Sequence, residues 1–275
     1  MVVFAGGSAI NQALSQASQH LQAGNTAAAD AMLLPLLEQF SSDPRLLHLV
    51  GTVRMHQNRH AEAAQLFERA RTANPREAVL AFSHATALRW LERHGEAADA
   101  FGEAYRLRPG YAEAYFEASA SLEQAGRLDE AEAVLRQWLT AMPGNPRGQQ
   151  ALAELLLVRQ RPDEAEPLLR QILPQTIPPL MRCDVLRSLG LALYRQGKEV
   201  EALEHCEASA SLRPDPKTDA IRASAGDQRR AQPTGGRREV RCGAHSAGIG
   251  ARSRASGGGG RGFADRTGGA GQAGG

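Results

Sequence analysis

Four groupings in this sequence hold residue types that could do chemistry. His56 and His60 stand four apart, the spacing at which two imidazoles on one helical face share a zinc ion. His205–Cys206 joins a base to a thiol, the pairing of an activated nucleophile. Asp129–Glu130 and Glu199–Glu201 offer paired carboxylates for acid–base work. GGGGRG, residues 257–262, has the glycine density of a phosphate-cradling loop.

The surrounding pattern argues against each. A turn between two helices is expected between His56 and His60, which takes them off a common face. Cys206 occupies a column that holds Phe67 and Phe101 elsewhere, the place of a small buried hydrophobe. The acidic pairs open helices, where they favour the positive end of the helix dipole. GGGGRG follows no strand and reads as low complexity. No GxxxxGK, HExxH or paired CxxC motif is present. The expectation is no catalytic residue, no metal and no cofactor: the chain is not an enzyme.

The elements that carry these residues repeat. Ala112–Asn145, AEAYFEASASLEQAGRLDEAEAVLRQWLTAMPGN, holds two amphipathic helices broken at Gly126 and stopped at Pro143. Steps of 34 from Ala131 reach Ala29, Ala63, Ala97 and Ala165, and one step of 37 reaches Ala202. Four residues on stand Leu33, Phe67, Phe101, Leu135, Leu169 and Cys206; the first helices carry Ala17, Gly51, Ala85, Ser119, Ala153 and Gly190. Small residues let two helix axes approach closely, and the bulky residue one turn on fills the groove beside them.

This alternation, at this period and with the closing prolines Pro75, Pro109, Pro143 and Pro214, resembles the tetratricopeptide repeat. The resemblance covers residues 10–216 as six units: 10–43, 44–77, 78–111, 112–145, 146–182 and 183–216. Residues 1–9 read as a leader and 217–275 as a tail. The fold expected is all-α, a right-handed α-solenoid of helix-turn-helix units. Three local irregularities are expected. Pro35 should kink the second helix of the first unit or shift its start. Glu92 stands where other units turn at glycine, which should loosen that turn. The three extra residues near Pro174, Pro178 and Pro179 should disturb the junction before the sixth unit.

In the resembled fold the first helices line a concave groove. Carried over residue by residue, that places Arg45, His48, Met55, Phe82, Arg89, Trp90, Phe116, Arg187 and Tyr194 on or near it. Aromatic and arginine side chains of this kind anchor interfaces. Trp138 takes the position of Ala70 and Ala104 and reads as core. The family's Lys/Asn clamp for a C-terminal carboxylate is not evident, because Lys198 is the one lysine within the repeats and lies in a turn. Glu113, Glu117 and Glu123 give the groove mixed charge. The partner implied is a protein or peptide, in an extended or helical segment, with no small-molecule substrate. An edge unit without a polar cap leaves a face on which a second chain can stack weakly.

Charge divides the chain. The first 216 residues hold 21 Lys+Arg against 26 Asp+Glu, and the last 59 hold 11 against 4. The tail contains no leucine and 16 of the 28 glycines, too little apolar surface to offset the entropy of ordering. It reads either as a genuine disordered tail or as the out-of-frame end of a GC-rich gene. Nucleic-acid contact through its arginines is disfavoured, since the regular RGG pattern is missing and only Phe263 could stack. Bacterial proteins of the resembled family often carry a sulfotransferase or glycosyltransferase domain after the array. The aborted seventh unit at KTDAIRASAGDQRRAQ therefore gives a second reading, the targeting region of a transferase whose catalytic part is missing. Three cysteines form no disulfide framework, MVVFAGGSAINQALS lacks the basic start of a signal peptide, and no membrane contact is expected; the location expected is cytoplasmic.

Overall fold

A computed structural model describes the backbone of residues 3–212 and side chains from Ile10 onward. The helices come in pairs: α1 (Val3–Gln22) and α2 (Thr26–Gln39), α3 (Pro44–His56) and α4 (His60–Ala73), α5 (Ala78–Trp90) and α6 (His94–Leu107), α7 (Ala112–Gln124) and α8 (Leu128–Ala141), α9 (Pro146–Val158) and α10 (Pro162–Ile172), α11 (Pro179–Arg195) and α12 (Glu199–Leu212). No strand occurs among the described residues, and none of their helices is long and apolar enough to cross a membrane. The expectations made for 217–275 lie outside the described residues.

The helix boundaries follow local chemistry. Asp43 accepts from the backbone N–H groups of Arg45 and Leu46 ahead of Pro44, and Asn145 accepts from Gly148 N–H at 3.0 Å ahead of Pro146. Each is an N-cap followed by a proline at the first helical position, where the missing N–H has no intrahelical acceptor to lose. At the other end of α3, α5, α7 and α9 the chain reverses through one residue in the left-handed region: Asn58, Glu92, Gly126 and Gln160. The next N–H then bonds back to the carbonyl five residues earlier, Arg59 to Arg54, Arg93 to Leu88, Arg127 to Leu122 and Arg161 to Leu156, at 2.9–3.0 Å. Glu92 (φ 59°) therefore makes the same closed turn as Gly126 (φ 75°), and the looser boundary expected there is not found. The backbone bonds that close the turn outweigh the cost of an L residue with positive φ.

Two further expectations change, for the leader and for Pro179. Residues 3–9 of the expected leader are helical and belong to α1, because extending a helix already nucleated costs little. Pro35 lies inside α2, which runs through it to Gln39. Pro179 does not merely end what precedes it. It takes the first position of α11, so that helix starts one turn before Cys183 and absorbs the extra residues.

Each helix packs on the next in sequence. The odd helices also touch across one unit at α1/α3, α3/α5, α7/α9 and α9/α11, and no even pair approaches as closely. The crossings are made as the small-residue column implies. A Cβ on Gly51 would lie 2.6 Å from the Phe67 ring, and one on Gly190 2.5 Å from Cys206 Sγ. Ala29, Ala63, Ala97, Ala131 and Ala165 are fully buried, as are Leu33, Phe101, Leu135 and Leu169; Cys206 is half-buried. Trp138 is core, in an aromatic seam where Tyr105 stacks on Tyr115 at 4.2 Å and Tyr115 on Trp138 at 6.1 Å. Burial of a side chain this large contributes about 3 kcal/mol.

Candidate partner-binding face

The 34-residue step sets the odd helices' side chains into rows. One row runs Arg45, Val79, Glu113, Arg147, Asp184 and the next His48, Phe82, Phe116, Gln150, Arg187. One turn further come Thr52, Thr86, Ala120, Glu154, Leu191, then Met55, Arg89, Glu123, Leu157, Tyr194. Three- and four-residue spacings on each helix put all four rows on one face.

In the first row Arg45 is exposed and held by the Asp43 carboxylate, with its Nη1 donating to Asn11 Oδ1 at 2.8 Å. In the second row His48 Nε2 lies 2.9 Å from Ser83 Oγ, and its ring meets Phe67 at 5.5 Å. Burial pushes the His48 pKa down, against the pull of Glu77. Phe82 packs edge-on against Phe101 at 5.1 Å and stacks with Tyr111 at 5.0 Å. The Arg147 guanidinium sits 3.9 Å above the Phe116 ring, so this aromatic already carries a cation from the next unit. Arg187 pairs with Asp184 at 2.9 Å on its own helix.

The last row is the most varied. Met55 packs on the Ala63, Phe67 and Ala87 cluster, and Arg89 pairs with Glu117 of the next odd helix at 2.7 Å. Tyr194 is half-buried against the main core. Trp90 departs from the rest: it stacks on His60 at the start of α4, 5.2 Å away and 12° from parallel, at the turn edge. Half its surface is exposed there. His60 thus opens α4 while His56 closes α3, and the two imidazoles serve different surroundings.

Two acidic side chains dominate the middle of this face. Burial and the neighbouring Glu154 push Glu123 up to about 7. Glu154 is also raised, chiefly by burial, although Gln150 Nε2 donates to its Oε1 at 2.9 Å. Glu123 was visible in sequence as part of an acidic first helix. Glu154 was not, since a single glutamate in LAELLLV reads as a surface residue. The signal was its register, one 34-residue step from Ala120 and two from Thr86.

The even helices and turns carry a different polar system. Arg59, Arg93, Arg127 and Arg161 each pair with the glutamate three residues on, at 2.5–2.7 Å. Glu132, at the centre of this edge, accepts from Arg136, Arg159 and Arg161 at 2.7–2.8 Å. Asp129 pairs with Arg159 of the next unit and Glu130 with Arg127 of its own, so each member of the acidic pair has its own arginine.

Two family models described as tetratricopeptide repeat match the sequence, one over residues 91–151 and 122–176 and the other over 14–78 and 151–217. Solved structures are similar at low identity. A Pseudomonas aeruginosa PilF structure is 16% identical, covers 80% of this chain and 99% of its own, and has a TM-score of 0.60. MamA is 16% identical over 71% of this chain and 96% of its own, with a TM-score of 0.53. YrrB, described as a TPR protein with an unusual peptide-binding site, is 21% identical over 70% and 89%, with a TM-score of 0.50. At these identities the likeness is one of fold. No curated protein matches the sequence.

Proposed function

We propose that this chain, which belongs to the tetratricopeptide repeat family, is a non-catalytic scaffold that holds a segment of a partner protein along the face formed by α3, α5, α7, α9 and α11. The observation that carries the reading is the recurrence of aromatic, arginine and glutamate side chains with some exposure along that face, interspersed with small and apolar residues, in register from unit to unit. Closer approach of odd helices than of even ones supports placing the face on the inner side of the array's curve, where one extended segment can touch several units. A peptide-binding site in YrrB, a protein of the same fold, adds a parallel. His48, Phe82, Arg89, Phe116, Arg187 and Tyr194 are the contacts proposed, with Arg45 and Met55 at the end of the face and Trp90 at its rim.

The test is photo-crosslinking. A benzophenone amino acid placed at Ala120, on the proposed face, should form adducts with a defined set of proteins. The same group at Gln137, exposed on α8, should not. Equal adducts from both positions, or adducts at Ala120 that persist unchanged when Arg89 and Phe82 are replaced by alanine, would remove the assignment of the face.

A further inference from the structure

Arginine is abundant in this chain, and the fold uses it to neutralise carboxylates that lose water. Asp30 has Arg54 at 2.6 Å, Glu117 has Arg89 at 2.7 Å, and Glu166 has Lys198 at 2.9 Å and Arg170 at 2.8 Å. Among the described residues, every buried or half-buried carboxylate has an arginine or lysine within ion-pair distance, with two exceptions. The exceptions are Glu123 and Glu154, neighbours on α7 and α9 in the middle of the partner-binding face.

Their surroundings explain why the exception matters. Glu123 has no hydrogen-bond donor among the described residues. Glu154 receives Gln150 Nε2 from its own helix, and Ser188 of α11 favours its charged form. Arg187, engaged by Asp184, reaches Glu154 only as a distant charge, and Asp184 opposes it. No cation acts on Glu123, whose charge meets burial on one side and Glu154 on the other. The register sets the pair among Arg89, Ala120, Leu157, Leu191 and Tyr194, and Arg89 is already engaged by Glu117. Two half-buried carboxylates in apolar surroundings, with no counter-charge, are unfavourable in the free protein. A side chain with an aliphatic stem and a cationic head satisfies both parts at once: the stem covers the apolar rows and the head meets the carboxylates.

We propose that Glu123 and Glu154 form the seat for a lysine or arginine side chain of the partner segment held along this face. The inference rests on the scaffold reading and specifies its ligand: a basic residue flanked by apolar ones, placed over the fourth and fifth units. A cation that enters the seat displaces the proton held there, so binding strengthens as pH rises through 7 and weakens below it.

The experiment uses the full chain labelled with 13C at the glutamate carboxyls, the two resonances assigned from Glu123→Gln and Glu154→Gln. N-acetyl-argininamide is titrated at pH 8 and at pH 6, with N-acetyl-citrullinamide as its neutral isostere. The expected result is a saturable shift of both resonances by the arginine compound alone, with affinity roughly tenfold weaker at pH 6, where Glu123 is mostly protonated. In parallel, the arginine compound raises the melting temperature of the wild type but not of the Glu123→Gln/Glu154→Gln variant, which itself melts no lower than the wild type. A uniform shift of all glutamates, equal shifts from the citrulline compound, or no saturable shift overturns the seat. If crosslinking from Ala120 survives that result, the face still binds a partner and only the cation seat falls. If the crosslinks are absent as well, the scaffold reading falls with it.

Discussion

Glu132 and Glu123 stand on consecutive helices of one unit, and both have lost much of their water, yet they are treated in opposite ways. Three guanidinium groups converge on Glu132. Burial alone would push its pKa up, but Arg136 and Arg161 outweigh burial and hold it below the usual carboxylate range. Glu123 meets no cation, and burial together with Glu154 lifts it to about 7. The contrast separates two uses of charge in a repeat array. At the turn edge, carboxylates join each unit to the next and are internally complete. On the face of the odd helices, one pair is left without a cation.

The largest effect that would break this comparison is expected at the complete site. Glu132→Gln leaves three arginines facing one another and should lose about 2 kcal/mol at pH 7, below the full cost of a broken buried pair because the arginines are partly exposed. The folded pKa of Glu132 is depressed, so its contribution is present above the unfolded value and disappears as pH falls through the folded one. Thermal melts of the variant and wild type should therefore converge in acid. A gap that stayed constant down to pH 3 would mean packing, not charge, sets the loss.

The incomplete site should behave with the opposite sign. Glu123 has a raised pKa, so the stability linked to its protonated form is present below about 4.5 and lost as pH rises through about 7. Glu123→Gln should gain about 1–2 kcal/mol at pH 8, the full shift being discounted for solvent access, and should match the wild type near pH 4. A variant less stable than the wild type at pH 8 would show that Glu123 is already compensated. A smaller effect sharpens the cause. In Glu154→Gln the Glu123 midpoint, followed by carboxyl NMR, should fall by less than about one pH unit, because burial is the larger of its two causes and remains. A return to an ordinary glutamate value would make repulsion the dominant one.

The smallest change is expected where charge plays no part. Glu92 holds a left-handed conformation in the turn that Gly126 makes without strain. Glu92→Gly should gain about 0.5 kcal/mol in urea unfolding, relief of strain partly offset by the greater freedom of glycine when unfolded. A loss would mean that the Glu92 side chain contributes more to the turn edge than its exposure suggests.

Much of the architecture was legible before any coordinates. The step of 34 identified which residues are small at the crossings, and Gly51 against Phe67 shows why: a methyl there would enter the ring. Trp138 was readable as core because it shares a column with Ala70 and Ala104. Proline was harder, since its effect depends on its position in the helix. Pro179 stops one helix and starts the next, and Pro35 and Pro167 are carried inside helices whose packed faces outweigh a lost bond. The register of the odd helices was legible, but the pairings of their side chains were not. Trp90 follows Arg89 in sequence, yet a rotation of 100° per residue turns it toward His60 and away from Glu117.

The sequence by itself determined the repeat, the helix pairs, the columns that must be buried and the rows that stand on the odd helices. These depend on period and residue size, which are local and additive along the chain. Tertiary structure alone decided which carboxylates meet an arginine. That depends on distances between side chains about 30 residues apart on neighbouring units, as with Arg159 and Glu132, and on the water each loses when the units close together. Glu123 and Glu132 are the same residue type; Arg136 on its own helix and two arginines of the next unit make Glu132 a structural anchor, while Glu123 meets no cation.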